Sequence, residues 1–71
     1  MPFRITITED AERQLLSLTA REQRILEAAI ASRLQHEPTK PTRAIRRLRP
    51  NPFARFELRV ADLRALYNVE A

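Results

Sequence analysis

The stretch FARFELRVADLRALYNVE, residues 53–70, decides the fold. Ala54, Phe56, Leu58 and Val60 alternate with Arg55, Glu57 and Arg59, a period of two that reads as a strand with one apolar side. Leu63, Ala65, Tyr67 and Val69 alternate with Arg64, Leu66 and Asn68 in a second such run. Ala61-Asp62 sits where a tight hairpin turn is needed. With a two-residue loop there, Val60 faces Leu63, Leu58 faces Ala65 and Phe56 faces Tyr67 on the core side. Arg59 then faces Arg64 on the other side, and Arg55 faces Asn68. This register sets like charges opposite each other, which destabilises a sheet unless an anion answers them. Tight hairpin loops prefer glycine or asparagine, and this chain has no glycine.

Upstream, Pro50-Asn51-Pro52 reads as a turn. Arg43 to Arg49 reads as a short extended segment with Ile45 and Leu48 as its apolar contacts. EPTKPT, residues 37–42, is a proline-marked connector. Helical spacing precedes it. Ile25, Leu26, Ala29, Ile30 and Leu34 form one stripe, with Arg21, Arg24, Glu27 and Arg33 toward water. Thr19 and Glu22 form a capping box that starts this helix. Pro38 ends it near Gln35 or His36, and His36 is expected to cap the end. A first helix, with Thr8 as N-cap and Glu9 and Asp10 in its first turn, carries Ala11, Leu15, Leu16 and Leu18. Two helices split by a capping box read as an antiparallel helical hairpin. Phe3, Ile5 and Ile7 alternate with Arg4, Thr6 and Thr8, which predicts an N-terminal strand. The expected class is α+β: strand, helical hairpin, then a small twisted, mainly antiparallel sheet.

Charge is unevenly placed. Between Lys40 and Arg64 stand one lysine and seven arginines against two acids, a net +6, while the rest of the chain nets −2. Such a split points to a polyanionic partner. Twelve of the 13 basic residues are arginine, whose flat fork binds phosphate bidentately. A GC-rich genome would explain the shortage of lysine but not the clustering. Arg43, Arg46, Arg47, Arg49 and Arg59 are candidate nucleic-acid contacts, and solvated or salt-bridged positions are the plain alternative. Glu57, set between Arg55 and Arg59, is expected to neutralise them. Phe56 and Tyr67 read as core, with the tyrosine hydroxyl at the rim. Phe53, beside the proline turn, is left open between the core and an exposed position.

Seventy-one residues make one domain with a small core. A chain of this size draws extra stability from an oligomer or a partner. No cysteine is present and histidine occurs once, so disulfides, thiolate metal sites and a histidine-based zinc site find no ligands. No metal or cofactor is expected. No apolar run approaches the ~20 residues of a membrane span, and MPFRITITED lacks the order of a secretory signal. The expectation is a cytoplasmic protein.

FRITITEDAERQLLSL, the helical hairpin and above all residues 53–70 resemble the RelE/ParE superfamily of bacterial toxins. The family motif runs aromatic, basic or polar residue, then L-R-V-G-D-Y-R-V-x-Y. Here it stands as Phe56-Glu57-Leu58-Arg59-Val60-Ala61-Asp62-Leu63-Arg64-Ala65-Leu66-Tyr67. The resemblance implies the toxin half of a type II toxin–antitoxin pair, silenced by a cognate antitoxin. RelE-like members cut messenger RNA on the ribosome without metal, the 2′-hydroxyl attacking its own phosphate. ParE-like members poison DNA gyrase. By the resemblance, Arg64 matches an arginine that contacts the scissile phosphate, and Arg55 matches the first of two basic residues on the preceding strand. These two are the candidate catalytic residues. The second basic position is Glu57 here, a charge reversal, and the family glycine is Ala61. Nuclease members continue into further strands bearing another arginine and a tyrosine. The chain ends at Ala71, so the reading expects a form shortened at its C-terminus, without a convincing general base. Its last strand would be an open edge for an antitoxin strand or a second copy. Three functions follow: ribosome-dependent messenger-RNA cleavage, gyrase inhibition, or a non-catalytic module that only binds antitoxin.

Overall fold

A computed structural model describes residues 3–70. It is an α+β protein with two helices, α1 (Glu9–Leu16) and α2 (Ala20–Leu34), followed by three strands, β1 (Ile45–Arg47), β2 (Phe56–Val60) and β3 (Leu63–Tyr67). The chain divides into two compact units, Met1–His36 and Glu37–Ala71.

The first unit is helical. Thr8 caps α1, its hydroxyl accepting from the Ala11 N–H, and Glu9, Asp10 and Glu12 lie in the first turn. Ser17 takes the C-cap and donates its hydroxyl to the Gln14 carbonyl at 2.6 Å. None of the α1 residues is buried. Leu15 is half-buried, whereas Ala11 and Leu16 are exposed. After Ser17-Leu18-Thr19 the capping box forms as its spacing predicts. Thr19 N–H donates to Glu22 Oε1 at 2.9 Å, and Glu22 N–H to Thr19 Oγ1 at 3.1 Å. These bonds satisfy two of the amides that a helix start leaves unpaired. Leu26 and Leu34 are buried, and Ile25, Ala29 and Ile30 half-buried, so the apolar stripe is the inward side of α2.

Two expectations fail in this unit. Residues 3–8 form no strand. Phe3 N–H instead donates to the Gln35 carbonyl at 2.6 Å, and Phe3 and Ile7 are exposed. Alternation of side chains favours an extended backbone, but a strand exists only where a neighbour supplies the ladder, and among the described residues no sheet pairing includes this segment. The C-cap of α2 is Gln35, and His36 lies one residue beyond, exposed.

The second unit is a three-stranded antiparallel sheet in the order β1-β2-β3. Between β2 and β3 the register is Val60↔Leu63, Arg59↔Arg64, Leu58↔Ala65, Glu57↔Leu66 and Phe56↔Tyr67, as the two-residue loop predicts. Ala61 meets the turn by adopting φ 52°, a left-handed conformation that costs a residue with a Cβ about 1 kcal/mol. β1 pairs on the other side, Ile45↔Leu58, Arg46↔Glu57 and Arg47↔Phe56. Thr42 prepares its start, Oγ1 accepting from the N–H groups of Ala44 and Ile45, both at 3.1 Å. Ile45, Ala54, Phe56 and Leu58 are buried, Leu58 completely. The Phe56 and Tyr67 rings stack at 5.4 Å, and Tyr67 donates its hydroxyl to the buried Pro38 carbonyl at 2.6 Å.

A guanidinium-lined sheet face as candidate nucleic-acid interface

Strand alternation sends Phe56, Leu58 and Val60 to one face of β2, and Glu57 and Arg59 to the other. The register then brings Arg46 and Leu66 beside Glu57, and Arg64 beside Arg59. Arg46, Arg59 and Arg64 therefore surround a single carboxylate, a local net charge of +2. Arg55 stands at a bend just before β2, outside the alternation of the strand. Its backbone is fixed by Asn68 Oδ1, which accepts its N–H at 2.9 Å, and its side chain is exposed.

Glu57, which alternation puts on the polar face, does not lie in solvent. It is buried, 6 % exposed. Arg59 Nε donates to its Oε1 at 2.8 Å, and Arg64 Nη1 lies 3.8 Å from its Oε2. The Arg59 hydrogen bond, with the charges of Arg59, Arg64 and Arg46, holds the carboxyl below the usual carboxylate range, outweighing the opposing effect of burial. The pairing with Arg59 is as expected, while the second partner is Arg64 across the hairpin and not Arg55. A central-strand position flanked by the long stems of arginines and by Leu66 covers the carboxylate. That cover depends on β1, whose pairing no local pattern announces.

The arginines themselves remain available. Arg59 and Arg64 keep 46 % and 63 % of their side-chain surface, and both line an open depression with Ala61, Asp62 and Leu63 at the hairpin tip. Arg64, with only the longer contact to Glu57, is the freer of the two. The remaining predicted contacts divide. Arg46 joins the cluster. Arg43 and Arg49 are exposed in the segments flanking β1. Arg47 faces the other way, its guanidinium 5.7 Å from the Phe56 ring centre, so it does not belong to this face. The reason is strand parity: Arg46 and Arg47 are adjacent and must point to opposite sides.

The site can bind an anion and stabilise charge that develops on it. A proton acceptor is harder to find in it. Glu57 is ionised but already hydrogen-bonded to Arg59. Burial raises the Tyr67 hydroxyl above its ordinary pKa of 10.0, and its proton is donated to Pro38. No group of three or more histidine, aspartate or glutamate side chains suited to a metal occurs among the described residues. No helix among them is long and apolar enough to cross a membrane. The chain matches no known protein family, no curated protein and no solved structure.

Proposed function

We propose that this chain is a RelE/ParE-type toxin that acts in the cytoplasm on ribosome-bound messenger RNA and is held inactive by a cognate antitoxin. The observation that carries the reading is the Arg59↔Arg64 pair across the hairpin. It joins Arg46 around one carboxylate with two positive charges in excess. Like charges opposite each other destabilise a sheet; Glu57 offsets part of that repulsion, and the remaining excess charge is what a ligand anion would meet. A phosphodiester on this face competes with Glu57 for both arginines. Arg64, the more loosely paired, stabilises the negative charge that builds as the RNA 2′-oxygen bonds to phosphorus and the bond to the 5′-oxygen breaks. Arg55 positions the neighbouring phosphate. The hydroxyl proton goes to solvent or to the ribosome, and ends on the departing 5′-oxygen.

The antitoxin reading rests on the free side of β3. Arg59 spends its N–H on the Ala44 carbonyl at 2.7 Å, toward β1. Arg59↔Arg64 is therefore a non-hydrogen-bonded pair, and the peptide groups of Arg64 turn outward at the sheet edge. An added strand completes that ladder.

Expression with and without an adjacent acidic reading frame, followed by mapping of RNA ends, tests the proposal. Growth arrest with new RNA ends, relieved by the neighbour and sharply weakened in Arg64→Ala, is the expected result. Unchanged cleavage in that variant removes Arg64 from the mechanism. Glu57 in place of a basic residue, together with the missing proton acceptor, favours the second reading, gyrase inhibition. That reading predicts gyrase-dependent DNA breaks and intact RNA. No arrest at all would leave only a module that binds antitoxin.

A further inference from the structure

The loop between β1 and β2 presents one aromatic ring to solvent and spends two asparagine side chains on doing so. Phe53 is 79 % exposed, the most exposed of the large apolar residues described. The backbone around it is fixed. Asn51 donates its amide to the carbonyls of Arg49 and Ala54, both at 2.8 Å. Its oxygen accepts from the N–H groups of Phe53 at 2.9 Å and Ala54 at 3.0 Å. From β3's exit, Asn68 donates to the Phe53 carbonyl at 3.1 Å and accepts from Arg55 N–H at 2.9 Å. Pro50 and Pro52 restrict the same turn further. A rigid loop has already lost the entropy that a flexible one loses on binding.

The charge around the ring specifies the occupant. From Lys40 through Arg55 the chain carries six basic residues and no acid, and Arg49 and Arg55 flank the loop with exposed side chains. An acidic protein segment would meet the charges with carboxylates and would need a separate apolar side chain for the ring. An unpaired base, with a flat π-face and a phosphate on either side, uses both ring and charges.

We propose that Phe53 is a stacking platform for an unpaired base of single-stranded RNA, with Arg49 and Arg55 holding the phosphates beside it. The proposal rests on the RNA reading above and names a subsite that the hairpin arginines do not supply. Every hydrogen bond that orders Phe53 uses its main chain, so Phe53→Ala leaves the loop intact.

Two probes separate the outcomes: a fluorescein-labelled oligouridylate and inorganic polyphosphate, a polyanion without bases. Phe53→Ala is expected to bind oligouridylate about tenfold more weakly, the size of one lost base–aromatic stack, and polyphosphate as tightly as before. Phe53→Tyr restores RNA affinity and Phe53→Leu does not. The chain has no tryptophan, so Phe53→Trp reports directly, its emission quenched by oligouridylate and unaffected by polyphosphate. Equal RNA affinity in Phe53→Ala overturns the platform while leaving the arginine face standing. Equal weakening toward both probes also overturns it, because the ring would then act through charge or fold. If the native chain binds neither probe, the RNA reading fails, and the platform with it.

Discussion

Replacing Glu57 by glutamine separates what the carboxylate does for stability from what it does to binding. Glutamine keeps an oxygen for the Arg59 Nε donor and a similar volume, so the main loss is charge. Breaking a fully buried ion pair costs about 3–5 kcal/mol, whereas exposed pairs contribute below about 1 kcal/mol. Here the acid is buried, but Arg59 and Arg64 are 46 % and 63 % exposed. A retained hydrogen bond moves the cost lower still, to about 1–2 kcal/mol. In a domain of this size that lowers Tm by roughly 5–15 °C. Binding changes in the opposite direction. One unit of negative charge removed about 7 Å from a phosphate, in water-like screening, is worth about 0.6 kcal/mol, roughly threefold in Kd. Arg64, whose 3.8 Å contact with Glu57 is ionic only, is also freed, and a new phosphate contact steepens the log–log salt slope by about 0.7. Urea titration and fluorescence anisotropy with labelled single-stranded RNA across a salt series measure both. A folded Glu57→Gln protein that binds RNA no better than the native chain, with the same salt slope, refutes the argument that Glu57 and phosphate compete for the same guanidinium groups. The acid limb gives a second check. Glu57 has a lowered pKa in the folded state, so its stabilising contribution is present above the ordinary carboxylate range and is lost as pH falls through the folded value. The stability lost between neutral pH and pH ~3 should therefore be smaller in Glu57→Gln.

Two further outcomes follow from the same sheet. Tyr67→Phe deletes the bond to the Pro38 carbonyl and is expected to cost about 1 kcal/mol in urea unfolding. Because burial raises the Tyr67 pKa, its contribution is complete below pH ~10 and lost as pH rises through the folded value. The phenylalanine variant should lose less stability on the alkaline side, and equal losses would contradict the burial of the hydroxyl. Ala61→Gly relieves the positive φ at the hairpin and should raise stability by about 1 kcal/mol. Ala61→Val should lower it, and an unchanged unfolding midpoint in both variants would show that the loop is not strained.

Most of the local structure was legible in the residues. Thr8, and Thr19 with Glu22, announce the helix starts because capping is settled within four residues. Pro38 announces the end of α2 because it disfavours helix in the residue before it. The β2–β3 register follows from period-two alternation around Ala61-Asp62, because the length of a hairpin loop fixes every pair beyond it. The candidate site was half legible. That Arg59 meets Arg64 follows from the same register, whereas the prolines beside Phe53 mark a turn without saying whether its ring meets the core or solvent.

What needed the tertiary structure was everything that depends on distant neighbours. The alternation of Phe3–Thr8 could not say that no strand would pair with it. The run of arginines from Arg43 to Arg49 could not say which would join the anion-binding face. That was decided by the register of β1, which brings Arg46 to Glu57 and sends Arg47 to the Phe56 ring. Nor could the alternation of β2 reveal that Glu57 is buried, since exposure depends on what lies on both sides of the strand. Capping, turn length and strand parity act between residues a few positions apart and can be read along the chain. Pairing partners and burial depend on which segments meet across it, and only the folded backbone determines that.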